Sequence, residues 1–314
     1  MRLNSTFKKK CKKFFYELIS LNCRVYARMS MPGDEPADWI MTFLISLAFR
    51  LVHGYKPDFK RPHSFSEKLF DRMLYSRDPK WTYITDKLKV REFVSERIGV
   101  DYLIPLLWSG KRPEDIPFEK LPEKFFIKTN HGCEYNILVK DRNKLSIRQL
   151  QSQLNTWLKE NFCTDYFLGT QWAYKNIDPQ IIIETFINDN GKSPDDYKFY
   201  CFSGRVEYLL MIGDRFGPIK KQFFTRDLKP IDIRRDSGKL EDDYQFPKNY
   251  KEMIRVAEAL SAGFDFIRVD LYNVKGKIYF GELTCYPAGG LAPFIPREWD
   301  FIFGEKWKFK KIAN

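Results

Sequence analysis

Apolar positions that recur every three or four residues predict helices in several parts of the chain. The first 60 residues indicate basic helices that end in a proline-punctuated linker, "GYKPDFKRP". Ser66 is the expected N-cap of the next helix, and Gly99 is the expected end of the one after it. Four segments beyond the linker have this spacing: "SFSEKLFDRMLYSRD", "TDKLKVREFVSERIG", "SIRQLQSQLNTWLKENF" and "YKEMIRVAEALSAG".

Short runs rich in β-branched and aromatic residues predict strands between these helices. "DYKFYCFSGRVEYLLMIGD" predicts two strands that turn at Ser203-Gly204. "FIRVDLYNVKGKIYFGELTCYP" predicts a final hairpin. Because strands and helices mix without a strict βαβ alternation, an α+β fold is expected. The remaining predicted strands are "KFFIKTN", "YNILVKD", "QIIIETFIND" and "KQFFTRD".

The final hairpin carries charged residues at positions that a sheet usually fills with apolar ones. A turn centred near Lys275-Gly276-Lys277 would place Asp270 opposite Glu282. Two opposed carboxylates repel each other unless a cation lies between them, and either Arg268 or Mg²⁺ would serve, with Mg²⁺ the better fit. A solvated face with an Arg–Asp–Glu network is the alternative. The other face is predicted to be apolar, made of Ile267, Val269, Leu271, Gly281 and Leu283.

Two other strands also carry an unusual charge. Lys128 ends the strand "FFIKTN" just before His131-Gly132, an arrangement that can hold a phosphate, although a solvent-facing lysine on an edge strand would look the same. Glu184 lies between "III" and "TFI", and an acid in an apolar strand needs a partner. The amino group of an adenine would be such a partner.

The charge of the chain predicts an acidic partner. Its 314 residues carry a net charge of +12, which suits nucleotides, anionic lipid, an acidic polymer or nucleic acid. Nucleic acid is not expected, because the aromatic residues fall mostly inside strands and no nucleic-acid-binding module is visible. The six cysteines show no CxxC spacing, which argues against a zinc site and a disulfide framework and favours a reducing compartment.

A cytoplasmic location is therefore expected, with one open question at the N-terminus. The longest apolar run, "WIMTFLISLAF", is too short to span a bilayer. It is predicted to be a helix packed on the body of the protein. The alternative is that residues 1–50 make peripheral contact with the inner leaflet, where the lysines of 8–13 would touch anionic lipid.

The order of these motifs resembles the ATP-grasp superfamily, and more closely the TupA-like ATP-grasp ligases linked to teichuronopeptide and capsular polysaccharide synthesis. The resemblance runs from about Pro62 to Gly304 and is carried by "FSEKL", "TDKLKVREFV", "FFIKTNHG", "IIIETFI", "DYKFYCFSG" and the final hairpin with its "AGG". It implies two α+β lobes that grip ATP. The expected parts are a basic helical extension, an N-terminal lobe, a lid subdomain and a catalytic subdomain, at 1–60, 61–115, 116–187 and 188–314.

The resemblance also implies which residues bind the nucleotide. Lys128 would hold the α- and β-phosphates, and the loop with His131 and Gly132 would cover the γ-phosphate. The helix carrying Asp86-Lys87 would supply another phosphate-facing base, either Lys87 or Arg91. Adenine would meet the Glu184 carboxylate and the backbone of Phe186 and Ile187, and the ribose would meet Asp195 or Asp196.

In the hairpin, the resemblance implies the metal ligands and the catalytic cations. Asp270 and Glu282 would hold Mg²⁺, with two ions expected. Thr284 stands where the family's common Glu-x-Asn motif has asparagine, and a hydroxyl is the weaker ligand. Arg268 would stabilise the acyl phosphate or the tetrahedral intermediate, with Lys198 as a second catalytic cation.

The implied reaction is ATP-dependent amide formation through an acyl phosphate. The expected substrates are a uronic acid of a bacterial capsular or cell-surface polysaccharide, or its nucleotide- or lipid-linked precursor, and an amino acid or small amine. A sugar phosphotransferase that uses the same ATP site is the first alternative. A glycosyltransferase is less favoured, because no Asp-x-Asp occurs in a nucleotide-sugar setting.

Overall fold

The computed structural model of the protein describes most of the chain. The described residues are 5–30, 35, 37–166, 168–188, 193–213, 219–233, 240 and 244–309, with side chains for all of these except 5–12 and 30. Within them the α-helices are α1 (Ser5–Ser30), α2 (Trp39–His53), α3 (Phe65–Tyr75), α4 (Pro79–Thr85), α5 (Val90–Ile98), α6 (Ile147–Lys159), α7 (Phe162–Asp165), α8 (Tyr250–Ser261) and α9 (Glu298–Lys306).

Ten strands form two antiparallel sheets in the described residues, which confirms the predicted α+β class. The first sheet has the order β1-β4-β2-β3 and the second β10-β9-β5-β6-β7-β8. The strands are β1 (Leu106–Gly110), β2 (Phe125–Thr129), β3 (Asn136–Val139), β4 (Ile181–Thr185), β5 (Asp196–Phe202), β6 (Arg205–Gly213), β7 (Lys220–Thr225), β8 (Pro230–Ile231), β9 (Phe266–Val274) and β10 (Lys277–Thr284).

The chain divides into two compact units. One unit consists of Met1–Pro79, Asn161–Lys175 and Tyr286–Asn314, and the other of Lys80–Glu160 and Asn176–Cys285. In the first unit α1 packs on α2 and α7, and α3 packs on α9. The second unit contains both sheets. The four-part division expected from the sequence stays a prediction.

The N-terminal helices α1 and α2 form as expected. Of the helices that the structure describes, none is both long enough and apolar enough to cross a bilayer.

The N-cap of helix α3 lies two residues before the predicted one. Its N-cap is Ser64, whose hydroxyl accepts from the backbone N–H of Glu67, while the Glu67 carboxylate accepts from the backbone N–H of Ser64. This reciprocal pair is a capping box. The prediction of Ser66 as the cap was wrong, because Ser66 lies inside the first turn and its N–H donates to the Asp300 carboxylate.

The first sheet buries one face and leaves polar groups on the other. Phe125 and Ile127 of β2 pack with Ile183 of β4 against α6, whose Leu150 lies in the same core. Successive strand residues point to opposite faces, so Lys128 lies on the face away from this core. Glu184 is the register partner of Phe126, which places it on the face of Lys128. The core with α6 thus covers one face of the sheet, and Lys128 and Glu184 lie on the other.

The second sheet has the same two-sided design. Helix α8 packs on β5, β6 and β9, and the Cys201 thiol contacts the Ala257 carbonyl on that side. The opposite face carries two rows of paired residues that cross three strands. One row is Lys198, Asp270 and Glu282, and the other is Tyr200, Arg268 and Thr284.

The pairing of Asp270 with Glu282 is confirmed, although it arises differently from the expectation. The turn lies at Lys275-Gly276, and a register shift between Phe280 and Glu282 leaves Gly281 as an extra residue, a β-bulge. Phe280, not Gly281, faces Leu271, so that part of the predicted apolar face was wrong. Because of this extra residue, Asp270 still pairs with Glu282, although the turn lies one residue earlier than that pairing would otherwise require.

Candidate active site

Asp270 is the centre of a buried charge cluster on the second sheet. Arg268 donates to both of its oxygens, from Nε to Oδ1 at 2.7 Å and from Nη2 to Oδ2 at 2.7 Å. Lys198 donates to Oδ2 as well, and its Nζ lies 3.0 Å from the Asp196 carboxylate. Burial raises the pKa of Asp270, but Arg268 and Lys198 outweigh it and hold the pKa below its usual value. Asp270 is therefore a carboxylate at neutral pH.

Glu282 and Thr284 extend this cluster towards the surface. The Arg268 Nη2 atom lies 3.2 Å from Glu282 Oε1 and 2.9 Å from Thr284 Oγ1. The Thr284 hydroxyl in turn donates to Glu282 Oε1. Glu282 is 36% exposed, whereas Asp270 is 3% exposed, so the second carboxylate is the more accessible of the two.

The donor set can be compared with what Mg²⁺ requires. Mg²⁺ is usually held by one or two carboxylates together with substrate phosphates and water. Asp270 and Glu282 supply two carboxylates from directly opposed positions. Among the described residues no group of three or more His, Cys, Asp or Glu side chains could hold a metal ion. The described residues thus offer two carboxylates, and an ion held by them would take its other ligands from phosphate and water.

On the first sheet, Glu184 is held by two cations. Lys128 Nζ lies 2.7 Å from its Oε2 atom, and Arg91 Nη1 lies 2.9 Å from its Oε1 atom. Arg91 also donates to the carbonyl of Ile104. Both carboxylate oxygens of Glu184 are therefore paired with a cation. Sequence reasoning proposed Arg91 only as a phosphate-facing base and missed its contact with Glu184.

The base of the predicted lid loop is fixed by a buried asparagine. Asn130 is fully buried, and its amide donates to the Asp86 carboxylate at 3.1 Å and to the Asp178 carbonyl at 2.9 Å. Its side-chain oxygen accepts from the backbone of Gln180 at 2.7 Å. These bonds tie the start of the loop to two distant segments of the same unit.

The lid loop itself contacts Lys87. The Lys87 ammonium donates to the carbonyl of Gly132, and its backbone N–H donates to the carbonyl of Asn130. Lys87 lies in the turn between α4 and α5, so its predicted place on a helix was wrong. His131 Nε2 lies 3.0 Å from the Trp157 carbonyl, and burial lowers the pKa of His131. The imidazole is therefore neutral at pH 7.

Lys87 also connects the two charge clusters. Burial lowers its pKa below the usual 10.5, and the nearby charge of Lys128 lowers it further. Cys133 and Glu282 act in the opposite direction. The charges that act on Lys87 therefore come from residues of both sheets, Lys128 of β2 and Glu282 of β10.

The remaining predicted nucleotide contacts lie after β4 and at the start of β5. Phe186 and Ile187 follow β4 directly and are partly buried. Asp196 is fully buried and belongs to the Lys198 cluster. Asp195 instead accepts from the Tyr244 hydroxyl at 2.6 Å. The choice between these two acids for the ribose stays a prediction.

One residue of the site was not singled out from the sequence. Tyr200 is the register partner of Arg268. Burial lowers the pKa of the Arg268 guanidinium, but Asp270 and the Tyr200 phenol raise it, and the net result is a raised pKa. The segment "DYKFY" could have indicated Tyr200, because the alternation of side chains along a strand places residues 196, 198 and 200 on one face.

Comparison with known families settles the class of protein. A family model described as TupA-like ATPgrasp matches residues 67–308. The chain belongs to the TupA-like ATP-grasp family. This confirms the family that the motifs predicted. No curated protein matches the chain.

Solved structures with similarity to this TupA-like chain include three ligases or synthetases. D-alanine–D-alanine ligase from Bacillus anthracis is 17% identical with a TM-score of 0.41, over 71% of this chain and 64% of that one. The ligase PsnB with minimal precursor, Mg and ADP is 15% identical with a TM-score of 0.36, over 66% and 52%. N5-carboxyaminoimidazole synthetase from Staphylococcus aureus with ADP is 12% identical with a TM-score of 0.38, over 65% and 45%. The chain thus spans less than two thirds of each of these proteins.

Proposed function

We propose that the protein is an ATP-dependent carboxylate–amine ligase that forms an amide through an acyl phosphate. The observation that carries the proposal is the Arg268–Asp270–Glu282 cluster on adjacent strands, within electrostatic range of Lys87 beside the lid loop. Two facing carboxylates and several converging cations suit the charges of a metal-bound triphosphate. Membership of the TupA-like ATP-grasp family supports the use of ATP.

The nucleotide would lie between these groups, with its phosphates, its adenine and its ribose each in contact with different residues. Lys128 would hold the α- and β-phosphates, and Lys87, with the loop of His131 and Gly132, would face the γ-phosphate. Adenine would contact Glu184 and the backbone that follows it at Phe186 and Ile187, with Asp196 as the proposed ribose contact. Lys128 already lies 2.7 Å from Glu184, so nucleotide binding would redistribute this ion pair between carboxylate and phosphate.

Asp270 and Glu282 would hold the Mg²⁺ that accompanies ATP. When bound, the ion neutralises phosphate charge and orients the γ-phosphate. The Thr284 hydroxyl already bonds Arg268 and Glu282, so its proposed part is to orient these two side chains. A second Mg²⁺, as in the original expectation, would need most of its ligands from the nucleotide.

The protein's cations would act on the reacting groups in two steps. A substrate carboxylate oxygen attacks the γ-phosphorus, the bond to the bridging oxygen breaks, and ADP leaves. An amine then attacks the acyl carbon, phosphate leaves, and the amine loses a proton. Arg268 and Lys198 would stabilise the negative charge that develops on the acyl phosphate and on the tetrahedral intermediate.

The proposed acceptor is a uronic acid of a cell-surface polysaccharide or its nucleotide- or lipid-linked precursor, joined to an amino acid or small amine. The net charge of +12 supports an acidic acceptor. The proposed location is the cytoplasm, with peripheral contact between residues 1–50 and the inner leaflet, where a lipid-linked acceptor would be found.

The test is phosphate release from ATP and Mg²⁺ with a panel of uronic acids, each with and without amino acids or small amines. Asp270→Asn removes a proposed metal ligand, and Asp101→Asn, an exposed site, is the matched control. The proposal expects ADP and phosphate only when a carboxylate and an amine are both present, with D270N inactive and D101N active. ADP formation without an amine, together with a stable phosphoester, would overturn it in favour of a sugar phosphotransferase.

A further inference from the structure

Helix α1 has large apolar side chains on its exposed face. Its buried positions include Ser20, Cys23 and Ala27. Five of the exposed apolar side chains recur every three or four residues, which places them on one side of the helix, and Phe15 is exposed beside them. This stripe consists of Phe14, Leu18, Leu21, Val25 and Met29, with Phe14 62% and Met29 77% exposed.

The stripe is held on a fixed support. Arg28 Nη2 lies 2.7 Å from the Asp165 carboxylate of α7, within the same unit. The Tyr26 hydroxyl donates to Asp38, the N-cap of α2. These contacts join α1 to α7 and α2 while the side chains of the stripe remain exposed. Helix α2 adds a second exposed stripe with the same spacing, made of Trp39, Phe43 and Leu47.

The charge of α1 selects the kind of partner. Between Ser5 and Ser30 the sequence has seven Lys and Arg residues and one acid, Glu17, a net charge of +6. A second copy of the chain would bring two such helices together, and their like charges would repel. An anionic bilayer offers both an apolar layer for the stripe and negative headgroups for the lysines.

We propose that the stripe of Phe14, Leu18, Leu21, Val25 and Met29 is a docking surface for an anionic lipid bilayer. Helix α1 would lie in the plane of the interface, with its apolar side chains below the headgroups and its basic side chains among them. The inference rests on the peripheral contact proposed for residues 1–50 and names the surface that makes it. It does not depend on the ligase reaction.

The experiment is vesicle co-sedimentation with the full chain. The probes are vesicles of phosphatidylcholine alone and of phosphatidylcholine with phosphatidylglycerol in equal parts. Leu21→Gln with Val25→Gln removes two apolar side chains from the stripe without changing charge. Val100→Gln with Ile147→Gln is the matched control, because both are exposed apolar residues outside α1 and α2. Circular dichroism and sedimentation velocity establish the fold and the oligomeric state of each variant.

The wild-type chain is expected to sediment with the anionic vesicles and more weakly with neutral ones. The L21Q/V25Q variant should bind at least about tenfold more weakly, while V100Q/I147Q should bind as the wild type does. Replacing Lys8, Lys9 and Lys10 with Gln should weaken binding about fivefold per lysine. Since sedimentation needs no turnover, an inactive ligase assay would leave this result unaffected.

Three results would overturn the inference. The wild-type chain could remain in the supernatant with both kinds of vesicle. The L21Q/V25Q variant could bind as tightly as the wild type, which would leave charge alone as the cause of binding. The wild-type chain could form a dimer without vesicles that L21Q/V25Q abolishes, which would assign the stripe to a second copy.

Discussion

At the scale of single residues, Arg268 makes the contacts on which the site most depends. It donates to three side chains, those of Asp270, Glu282 and Thr284, from a buried position. Lysine would keep the charge but lose the bidentate contact with Asp270. We expect Arg268→Lys to lower kcat about 100-fold or more while ATP affinity changes little, because a lysine without these contacts would not be held where Arg268 is proposed to stabilise developing charge.

The matched control for this prediction is Arg205→Lys. Arg205 and Glu207 form the same i, i+2 pair on a strand, but Arg205 is 67% exposed and contributes little. Steady-state kinetics and ATP titration calorimetry on both variants measure the difference. Equal kcat values for R268K and R205K would show that the bidentate contact has no part in catalysis.

Lys87 predicts a pH dependence of ATP binding. Burial holds its pKa below the usual 10.5 in the free protein, and only the protonated form attracts phosphate. As the pH rises through this lowered pKa, Lys87 loses its charge and ATP affinity should fall. The fall should therefore begin at a lower pH than an ordinary lysine would give.

Titration calorimetry of ATP against pH measures this fall, with Lys87→Arg as the comparison. Arginine keeps its proton across the accessible range, so the fall should disappear in that variant. Lys89→Arg, at an exposed position two residues on, is the control and should keep the wild-type profile. An unchanged profile in K87R would assign the titration to another group.

The sequence identified most of these residues but not their contacts. Lys128, Glu184, Arg268, Asp270 and Glu282 each stand out as polar groups in apolar strands, so local pattern is enough to find them. The ion pair of Arg91 with Glu184 joins residues 93 positions apart, and no local spacing predicts it. Tertiary packing creates such contacts, which is why the partners of Glu184 emerged only from the structure.

At the scale of elements, the capping box of α3 is a test of local stability. The Ser64 hydroxyl accepts from the Glu67 N–H and also bonds the hydroxyl of Tyr55 at 2.6 Å. We expect Ser64→Ala to lower the free energy of unfolding by about 1–2 kcal/mol. Ser95→Ala, at an exposed position inside α5, should cause no loss because alanine favours helices. Chemical denaturation of both variants measures the difference, and equal stabilities would contradict the capping role.

The bulge at Gly281 predicts a coupling between strand register and the proposed metal-binding pair, Asp270 and Glu282. A Cβ at Gly281 would lie 3.0 Å from the Asp270 carbonyl and 3.1 Å from the Tyr272 ring. We expect Gly281→Ala to lower stability by about 1–3 kcal/mol and to weaken Mg²⁺–ATP binding, because the Asp270 backbone must move.

Gly276→Ala is the comparison for this variant. Gly276 has a φ of +87° in the turn, but nothing lies within 4 Å of its added Cβ. The substitution should lower the free energy of unfolding through backbone strain and leave Mg²⁺–ATP binding unchanged. Denaturation and calorimetry on the two variants separate the effects. Equal loss of nucleotide binding in G276A and G281A would contradict a specific role of the bulge.

Elements were easier to predict than their boundaries and registers. Period-two alternation located both halves of the final hairpin, and Gly99 ends α5 with a φ of +97°, as expected. The bulge at Gly281 could not be predicted, since one added residue leaves the apolar and polar composition of both strands unchanged. Ser64 and Ser66 are both plausible caps by residue type, and only the carboxylate of Glu67 selects the first.

At the scale of the whole molecule, charge is distributed unevenly between the two units. Helix α1 carries a net charge of +6, half of the +12 of the chain, and belongs to the helical unit. The predicted nucleotide-binding residues from Lys87 to Glu282 belong to the unit with both sheets. The proposed membrane contact and the proposed nucleotide contacts therefore fall in separate units, and variants can test one without altering the other.

Nucleotide binding should stabilise the whole protein in a way that depends on Mg²⁺. A ligand that binds only the folded state at about 100 times its Kd adds about 2.7 kcal/mol to the free energy of unfolding. Because Asp270 and Glu282 would bind the metal that accompanies ATP, we expect EDTA or Glu282→Gln to remove most of this gain. Glu298→Gln, an exposed residue of α9, should keep it. Thermal denaturation with ATP, with and without Mg²⁺, measures each gain. An equal gain in EDTA and in E282Q would mean that ATP is held by the lysines alone, and the carboxylate pair would then need another role.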